Sequence, residues 1–407
     1  MNKIKNYQNL ILAFSIISLV LIRLIFAITF PNPLHIDEAK TMDHVQTMIT
    51  EGTDANHRSW PIMSRSLGGG YTTSTYLYPL VIWSTVFGQS TGALRAFSQI
   101  STILAVFCLA GGLYFWQGKR LATISLIVGL SLPWSWANGL MAWDPAITPL
   151  FVSLSFLIFS YIANRSQART LKINLLLSLL TFCSVLTAYS YPPARVTAPL
   201  LLGLGLIYLQ AKKLLSISSW VTVTLTGILS SLPLLNFMLS DEALGRSNDL
   251  SVFRDSVPAG LWLLAINLLG LLDPTRLFVT GDSNLRHSFG FLGMLGIASI
   301  IPIGYTGYLL IKHALPSKIK PLLIISGVGI LAGLLGSALT NEGQPHYLRA
   351  TAAWPFFVIL LSLGWYQIIK HKGRLMSISL LLGIIGLIGL IFWIFFVYPE
   401  LSYDYFT

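Results

Sequence analysis

Apolar residues along this chain come in runs of about twenty, separated by short polar or basic connections, and about twenty helical residues cross a bilayer. The runs fall at roughly 8–30, 95–116, 121–138, 144–163, 171–190, 194–210, 217–239, 289–311, 321–340, 350–369 and 375–397. Two weaker apolar stretches, Tyr71–Gly88 and Val257–Leu272, are ambiguous. The pattern predicts an all-α polytopic transmembrane bundle of about eleven spans, with residues 1–407 forming one membrane domain. Two connections are long, a first loop over 31–94 and a second over 240–288. The first run follows Lys3 and Lys5, is too long for a secretory h-region and has no small-x-small cleavage site after it. It is expected to remain as the first span.

Composition narrows the class. Of 407 residues, 54% are apolar or aromatic and 10% are charged, whereas a soluble domain carries about 25% charged residues. A soluble enzyme, a secreted disulfide scaffold and a disordered chain are excluded. Cys108 and Cys183 both sit inside apolar runs and read as packing residues, not a disulfide or metal pair.

The net charge of +11 becomes informative once it is mapped onto the loops. If Tyr71–Gly88 does not cross, one side of the membrane holds fifteen bases and no acid. They are Lys3, Lys5, Lys119, Arg120, Arg165, Arg169, Lys172, Lys212, Lys213, Lys312, Lys318, Lys320, Lys370, Lys372 and Arg374. All 15 acids fall on the other side with the remaining bases. Making Tyr71–Gly88 a span would invert every later loop against the positive-inside rule. The charge therefore predicts a cytoplasmic N-terminus in the plasma membrane, with both ambiguous stretches lying at the outer interface. Trp83, Tyr76 and Tyr78 suit that position. Orientation accounts for the basicity without a nucleic acid partner.

The cytoplasmic connections, such as Gln117–Arg120 and Gln210–Lys213, are too short to hold a nucleotide-binding domain, and no phosphate-binding glycine fingerprint occurs in a strand–helix context. Function is expected on the outer face, where several polar clusters stand. In the first loop, Pro31 and Pro33 stop the first span, and Asp37 and Glu38 stand where a new helix begins. Met42, Val45, Met48 and Ile49 then repeat at helical spacing, which predicts an amphipathic helix on the membrane surface. Asp37 reads as an N-cap or as a catalytic base, and the two are compatible because a helix N-terminus favours the ionised carboxylate. His35 and His44 flank it and read as surface histidines.

Asp144, followed by Pro145, reads as a helix cap or as a second site carboxylate, and with Asp37 as a ligand pair for a divalent ion. The Tyr189–Arg195 segment reads as structural, with Arg195 a candidate lipid-phosphate contact. Arg286 and His287, preceded by Gly281 and Asp282, stand directly before a span, as do His346 and Arg349. Arginine grips phosphate bidentately, so these four residues are candidates for binding a donor phosphate. Interfacial snorkelling would explain either cluster alone. Arg23, inside the first span, is a lesser candidate for the same role.

In this order, Asp37-Glu38, Arg95, Asp144, Tyr191-Pro192, Arg286-His287 and His346 with Arg349, the chain resembles the GT-C-fold membrane glycosyltransferases. The nearest group is the dolichyl-phosphate-mannose–protein mannosyltransferase superfamily, which includes bacterial lipid A aminoarabinose transferases. The resemblance implies transfer of one sugar, generally with inversion, from a polyprenyl-phosphate donor to a glycan, lipid or protein acceptor outside the cell. Asp37 matches the base or acceptor-orienting acid, Glu38 its partner, and Asp144 a second acid sometimes associated with a divalent metal. No large soluble domain follows the last span, which leaves the acceptor open. Two other classes fit the composition. A transporter would show mid-membrane ionisable residues and an internal repeat, and only Arg23 meets that description. A polysaccharide polymerase or ligase would carry its large functional loop late in the chain.

Overall fold

The computed structural model describes residues 2–66, 70–164, 170–371 and 373–406; of the fifteen bases expected on the cytoplasmic side, Arg165, Arg169 and Lys372 lie outside them. In chain order the helices are α1 (Asn2–Thr29), α2 (Ile36–Thr50), α3 (Ser74–Phe87), α4 (Thr91–Gln117), α5 (Lys119–Ser131), α6 (Pro133–Asn138), α7 (Thr148–Ala163), α8 (Thr170–Ser190) and α9 (Ala194–Ala211). They continue as α10 (Ile217–Met238), α11 (Asp241–Leu250), α12 (Val257–Leu271), α13 (Ile300–Ile311), α14 (Lys320–Ala338), α15 (Trp354–His371), α16 (Arg374–Phe396) and α17 (Tyr398–Ser402). One antiparallel hairpin, β1 (Met63–Arg65) with β2 (Tyr71–Thr73), pairs Met63 with Thr73.

Nine helices among the described residues are long and apolar enough to cross a membrane. The chain is a multi-pass membrane protein. Large apolar side chains such as Leu10, Phe14, Leu229, Ile385 and Phe396 stand exposed on α1, α10 and α16, where lipid takes the place of a protein core.

Two of the eleven expected spans differ from the run of apolar residues. The stretch 121–138 breaks at Leu132, whose ψ of 122° is extended, because the ring of Pro133 disfavours helix in the residue before it. Residues 289–296 are irregular, so the expected span 289–311 becomes helical only from Ile297. Gly290, Gly293 and Gly296 there all have positive φ. At Gly293 a Cβ would lie 2.4 Å from the Phe278 carbonyl carbon, so the turn requires glycine. The two irregular pieces meet: Trp134 N–H donates to Met294 O at 2.9 Å.

The ambiguous stretches are short helices. α3 has 14 residues and α12 has 15, about 21 Å and 23 Å at 1.5 Å per residue, less than the roughly 30 Å apolar thickness of a bilayer. α2 corrects one expectation. Its apolar stripe, Val45 and Met48, is buried in a cluster with Leu77 and Leu80 of α3, so protein, not lipid, covers it. His44 is also buried, not superficial: its Nδ1 accepts from Ala55 N–H at 3.1 Å and its Nε2 faces Arg65 O at 3.2 Å.

α4 is the central helix, packed against α1, α5 and α7. A Cβ at Gly112 would meet the Phe156 ring at 2.6 Å, so α4 and α7 approach closely, as small residues allow in membranes. Arg23 is fully buried and donates to Thr102 Oγ1 at 2.9 Å, Gln99 Oε1 and Ser135 O at 2.7 Å. It ties α1 to α4 and α6, and has no free donor face for a phosphate.

Candidate active site

The N-terminus of α2 sets the first wall of a cavity of about 510 Å³. His35, not Asp37, caps this helix: its Nδ1 accepts Asp37 N–H at 3.2 Å, while Glu38 accepts His35 N–H at 3.0 Å in a reciprocal capping box. Asp37 is thereby left with a half-exposed carboxylate on the cavity wall, 3.4 Å from His35 Nδ1. The contact with His35 is the main cause holding its carboxyl below the usual carboxylate range; burial opposes, and the positive charge of Arg286 reinforces.

Glu38 faces the other way. Its carboxylate is fully buried and accepts Arg95 Nε at 3.0 Å, Arg95 Nη2 at 2.8 Å and Ala142 N–H at 2.8 Å. Arg95, also fully buried, donates to Asn32 O at 2.9 Å and Pro33 O at 2.8 Å. The pair fastens the start of the first loop, α2, α4 and the 140–143 segment together. Glu38 does not line the cavity, so it holds Asp37 in place from behind.

Asp144 opens a short turn before α7 and reaches the cavity from a second wall. Its Oδ2 is buried with no hydrogen-bond partner. Tyr191 lines the same space beside Arg349; burial is the main cause raising its pKa, and Arg349 opposes it. Tyr191-Pro192 stands in the motif order of the resemblance, but the residue reading of the Tyr189–Arg195 segment as structural gave the tyrosine no role. Arg195 stands behind the wall, 5.8 Å from the Phe237 ring centroid, and its Nε has no partner. It faces Asp144 electrostatically and does not line the cavity.

The third wall is the 281–288 turn. Asp282 Oδ1 accepts Asn284 N–H at 2.9 Å, and Asn284 Oδ1 accepts Arg286 N–H at 3.0 Å. These two Asx turns aim the Arg286 guanidinium at the His35 ring, with Nη1 3.1 Å from Nδ1. His287 Nδ1 donates to Asp282 Oδ2 at 3.2 Å, which also accepts Tyr347 N–H at 3.0 Å. His346 stacks on His287 with ring centroids 4.5 Å apart. Arg349 donates to Thr340 Oγ1 at 3.0 Å and pairs with Glu342 at 2.5 Å.

The histidines differ from the arginines in what they can offer. Burial pushes His287 down despite its contact with Asp282, and pushes His346 down to about 2, with His287, Arg349 and Arg286 adding to the fall. Both imidazoles are neutral at physiological pH, and the His287 Nδ1–H is engaged by Asp282. Arg286 and Arg349 therefore supply the positive charge that a phosphate would meet. Asp37 and Asp144 share the cavity, but the ligand-like group of three among the described residues is Asp282, His287 and His346.

No protein-family model matches the sequence, and no curated protein does. Solved structures match by fold. ArnT from Cupriavidus metallidurans bound to undecaprenyl phosphate is 11% identical, matches over 97% of this chain and 75% of its own, and gives a TM-score of 0.50. The archaeal oligosaccharyltransferase AglB from Archaeoglobus fulgidus, in complex with an inhibitory peptide and a dolichol-phosphate, is 11% identical over 96% of this chain and 56% of its own (TM-score 0.51). The apo form of the Archaeoglobus fulgidus oligosaccharyltransferase is 12% identical over 95% and 56% (TM-score 0.55). The chain thus spans between 56% and 75% of the length of these proteins. It has the GT-C-like polytopic fold.

Proposed function

We propose that this protein is a glycosyltransferase that moves a single sugar, a hexose or pentose, from a polyprenyl-phosphate donor to a glycan, lipid or protein acceptor on the extracytoplasmic face of the plasma membrane. The observation that carries the reading is one cavity lined by two carboxylates, Asp37 and Asp144, and two guanidiniums, Arg286 and Arg349. Its volume of about 510 Å³ is within the range of small-ligand sites. The fold supports it too, because ArnT is seen with undecaprenyl phosphate and AglB with a dolichol-phosphate.

In the proposed step the acceptor oxygen attacks the anomeric carbon from the face opposite the phosphate. The new C–O bond forms as the bond from carbon to phosphate oxygen breaks, which inverts the centre. The proton of the acceptor hydroxyl passes to Asp37. A carboxylate held below its usual range is a weak base, so it orients the hydroxyl first and takes the proton as bond formation makes the oxygen acidic. The bond electrons leave on the phosphate, whose growing charge is met by Arg286 and Arg349. Asp144 holds the acceptor from the second wall. Its unpartnered Oδ2 also fits a divalent ion shared with Asp37, which would supply Lewis-acid polarisation when bound; the residue roles above do not require it.

The test is transfer from radiolabelled polyprenyl-phosphate sugars by membranes containing the wild type or Asp37→Asn. The variant keeps the shape and loses the charge, so transfer should fall at least about a hundredfold with expression retained. Equal transfer by the two proteins would overturn the assignment of Asp37.

A further inference from the structure

Asp282, His287 and His346 each offer one ligand atom, and these atoms all lie within 4.8 Å of one another. Neither carboxylate of the acid pair, Asp37 or Asp144, belongs to this group. We infer that the three side chains form a binding site for a zinc-class divalent ion, with one coordination position open to the cavity. The site stands on its own donor set and does not depend on sugar transfer.

Three features of the geometry carry it. His287 Nδ1 and Asp282 Oδ2 are 3.2 Å apart, and two ligands bound at 2.0–2.1 Å in a tetrahedron are about 3.3 Å apart. The spacing of this pair is already that of a coordination edge. His346 brings a buried Nδ1 that has no partner, and its ring lies over His287 with an interplanar angle of 22°. As they stand, a ring nitrogen of His346 and the ligand atoms of Asp282 and His287 lie within 4.8 Å of one another. Finally, Asp282 is fixed before any ion arrives, by Asn284 N–H at 2.9 Å and Tyr347 N–H at 3.0 Å, the kind of outer bond that orients metal ligands.

The donor set selects the ion class. Two imidazoles and one carboxylate suit zinc and its neighbours, whereas magnesium and calcium take oxygen ligands. Arg286 lies next to His287 in sequence and, like His346 and Arg349, lines the cavity, so the open position faces a positively lined space. An anion is the complement expected there.

The experiment uses the full chain purified in detergent, stripped with a chelator and then titrated with Zn²⁺ or Co²⁺. One equivalent should bind, and the cobalt form should show the intense visible absorption of a tetrahedral site. His346→Ala should weaken zinc binding at least about a hundredfold, more than loss of an outer-shell contact does. The variant also loses the ring stacked on His287, so melting of the metal-free protein establishes that it is folded, and weaker zinc binding is read from folded protein only. His287→Ala provides a second ligand deletion, and Asp37→Asn combined with Asp144→Asn should keep the ion. Absence of stoichiometric binding in the wild type would overturn the site. So would unchanged binding in both histidine variants, or loss of the ion with the two aspartates alone.

Discussion

Substituting Glu38 tests whether it holds the proposed catalytic acid or touches substrate itself. Its carboxylate accepts four N–H bonds, from Arg95 Nε and Nη2, His35 N and Ala142 N, all between 2.8 and 3.0 Å. Glu38→Gln replaces one accepting oxygen by an amide donor and leaves the buried Arg95 charge uncompensated. Breaking a buried pair from one side costs about 3–5 kcal/mol. An unfolding entropy of about 2.1 cal/mol/K per residue over the whole chain makes that a fall in melting midpoint of about 4–6 °C. Asp37→Asn, one position away, removes a half-exposed carboxylate and should move the midpoint by less than about 1 °C. Replacing both Glu38 and Arg95 by Met should not restore stability. It would orphan Asn32 O, Pro33 O, Ala142 N–H and His35 N–H, each at about 1–3 kcal/mol. The assay is intrinsic-fluorescence melting of the detergent-purified proteins at one scan rate, alongside sugar transfer. A Glu38→Gln protein that melts with the wild type yet transfers a hundredfold more slowly would refute the reasoning, because Glu38 would then be touching substrate.

Other expectations follow from the same geometry. Arg286→Lys should lower kcat more than it raises KM for the donor, because a lysine cannot grip two phosphate oxygens in a fixed fork as charge builds on the leaving group; steady-state transfer at varied donor concentration reads the split, and unchanged kinetics would assign Arg286 to interfacial anchoring. Asp37 is held below the usual carboxylate range, so its ionised form persists above the unfolded value of about 3.9 and is lost only as pH falls through the lower folded value. Transfer should therefore show no acid limb assignable to Asp37 between about pH 5 and 8, and a limb in that window absent from Asp37→Asn would contradict the sign. Cysteines placed at the exposed positions Asn56 and Ser283 should react with an impermeant thiol reagent on intact cells, and one at exposed Ser317 only after permeabilisation; the reverse pattern would invert the bundle.

The bundle was legible because each span is a local event: twenty apolar residues in a row are helical and membrane-buried whatever surrounds them. Pro133 and the glycines at 290, 293 and 296 were visible as breakers, yet their effect on two spans depended on how the broken ends met, Trp134 against Met294. The site was legible by residue type and not by orientation. Asp37 and Glu38 are adjacent, and nothing in their order says which faces the cavity; the answer lies in Arg95, 57 positions from Glu38, which draws Glu38 inward and leaves Asp37 outside. Likewise His287 reads in the sequence as a group for binding the donor phosphate, but Asp282, five residues before it, accepts its Nδ1–H. Tyr191 had its place in the motif order and before two prolines to mark it, and neither says which way its hydroxyl points. In each case a long-range partner in a low-dielectric interior decides the charge and direction of a side chain, and such partners are set by the packed bundle. On the proposed reading the charge for a phosphate falls to Arg286 and Arg349 and the neutral nitrogens of His287 and His346 fall to a metal ion, so that one cavity would serve an anion and a cation with different side chains.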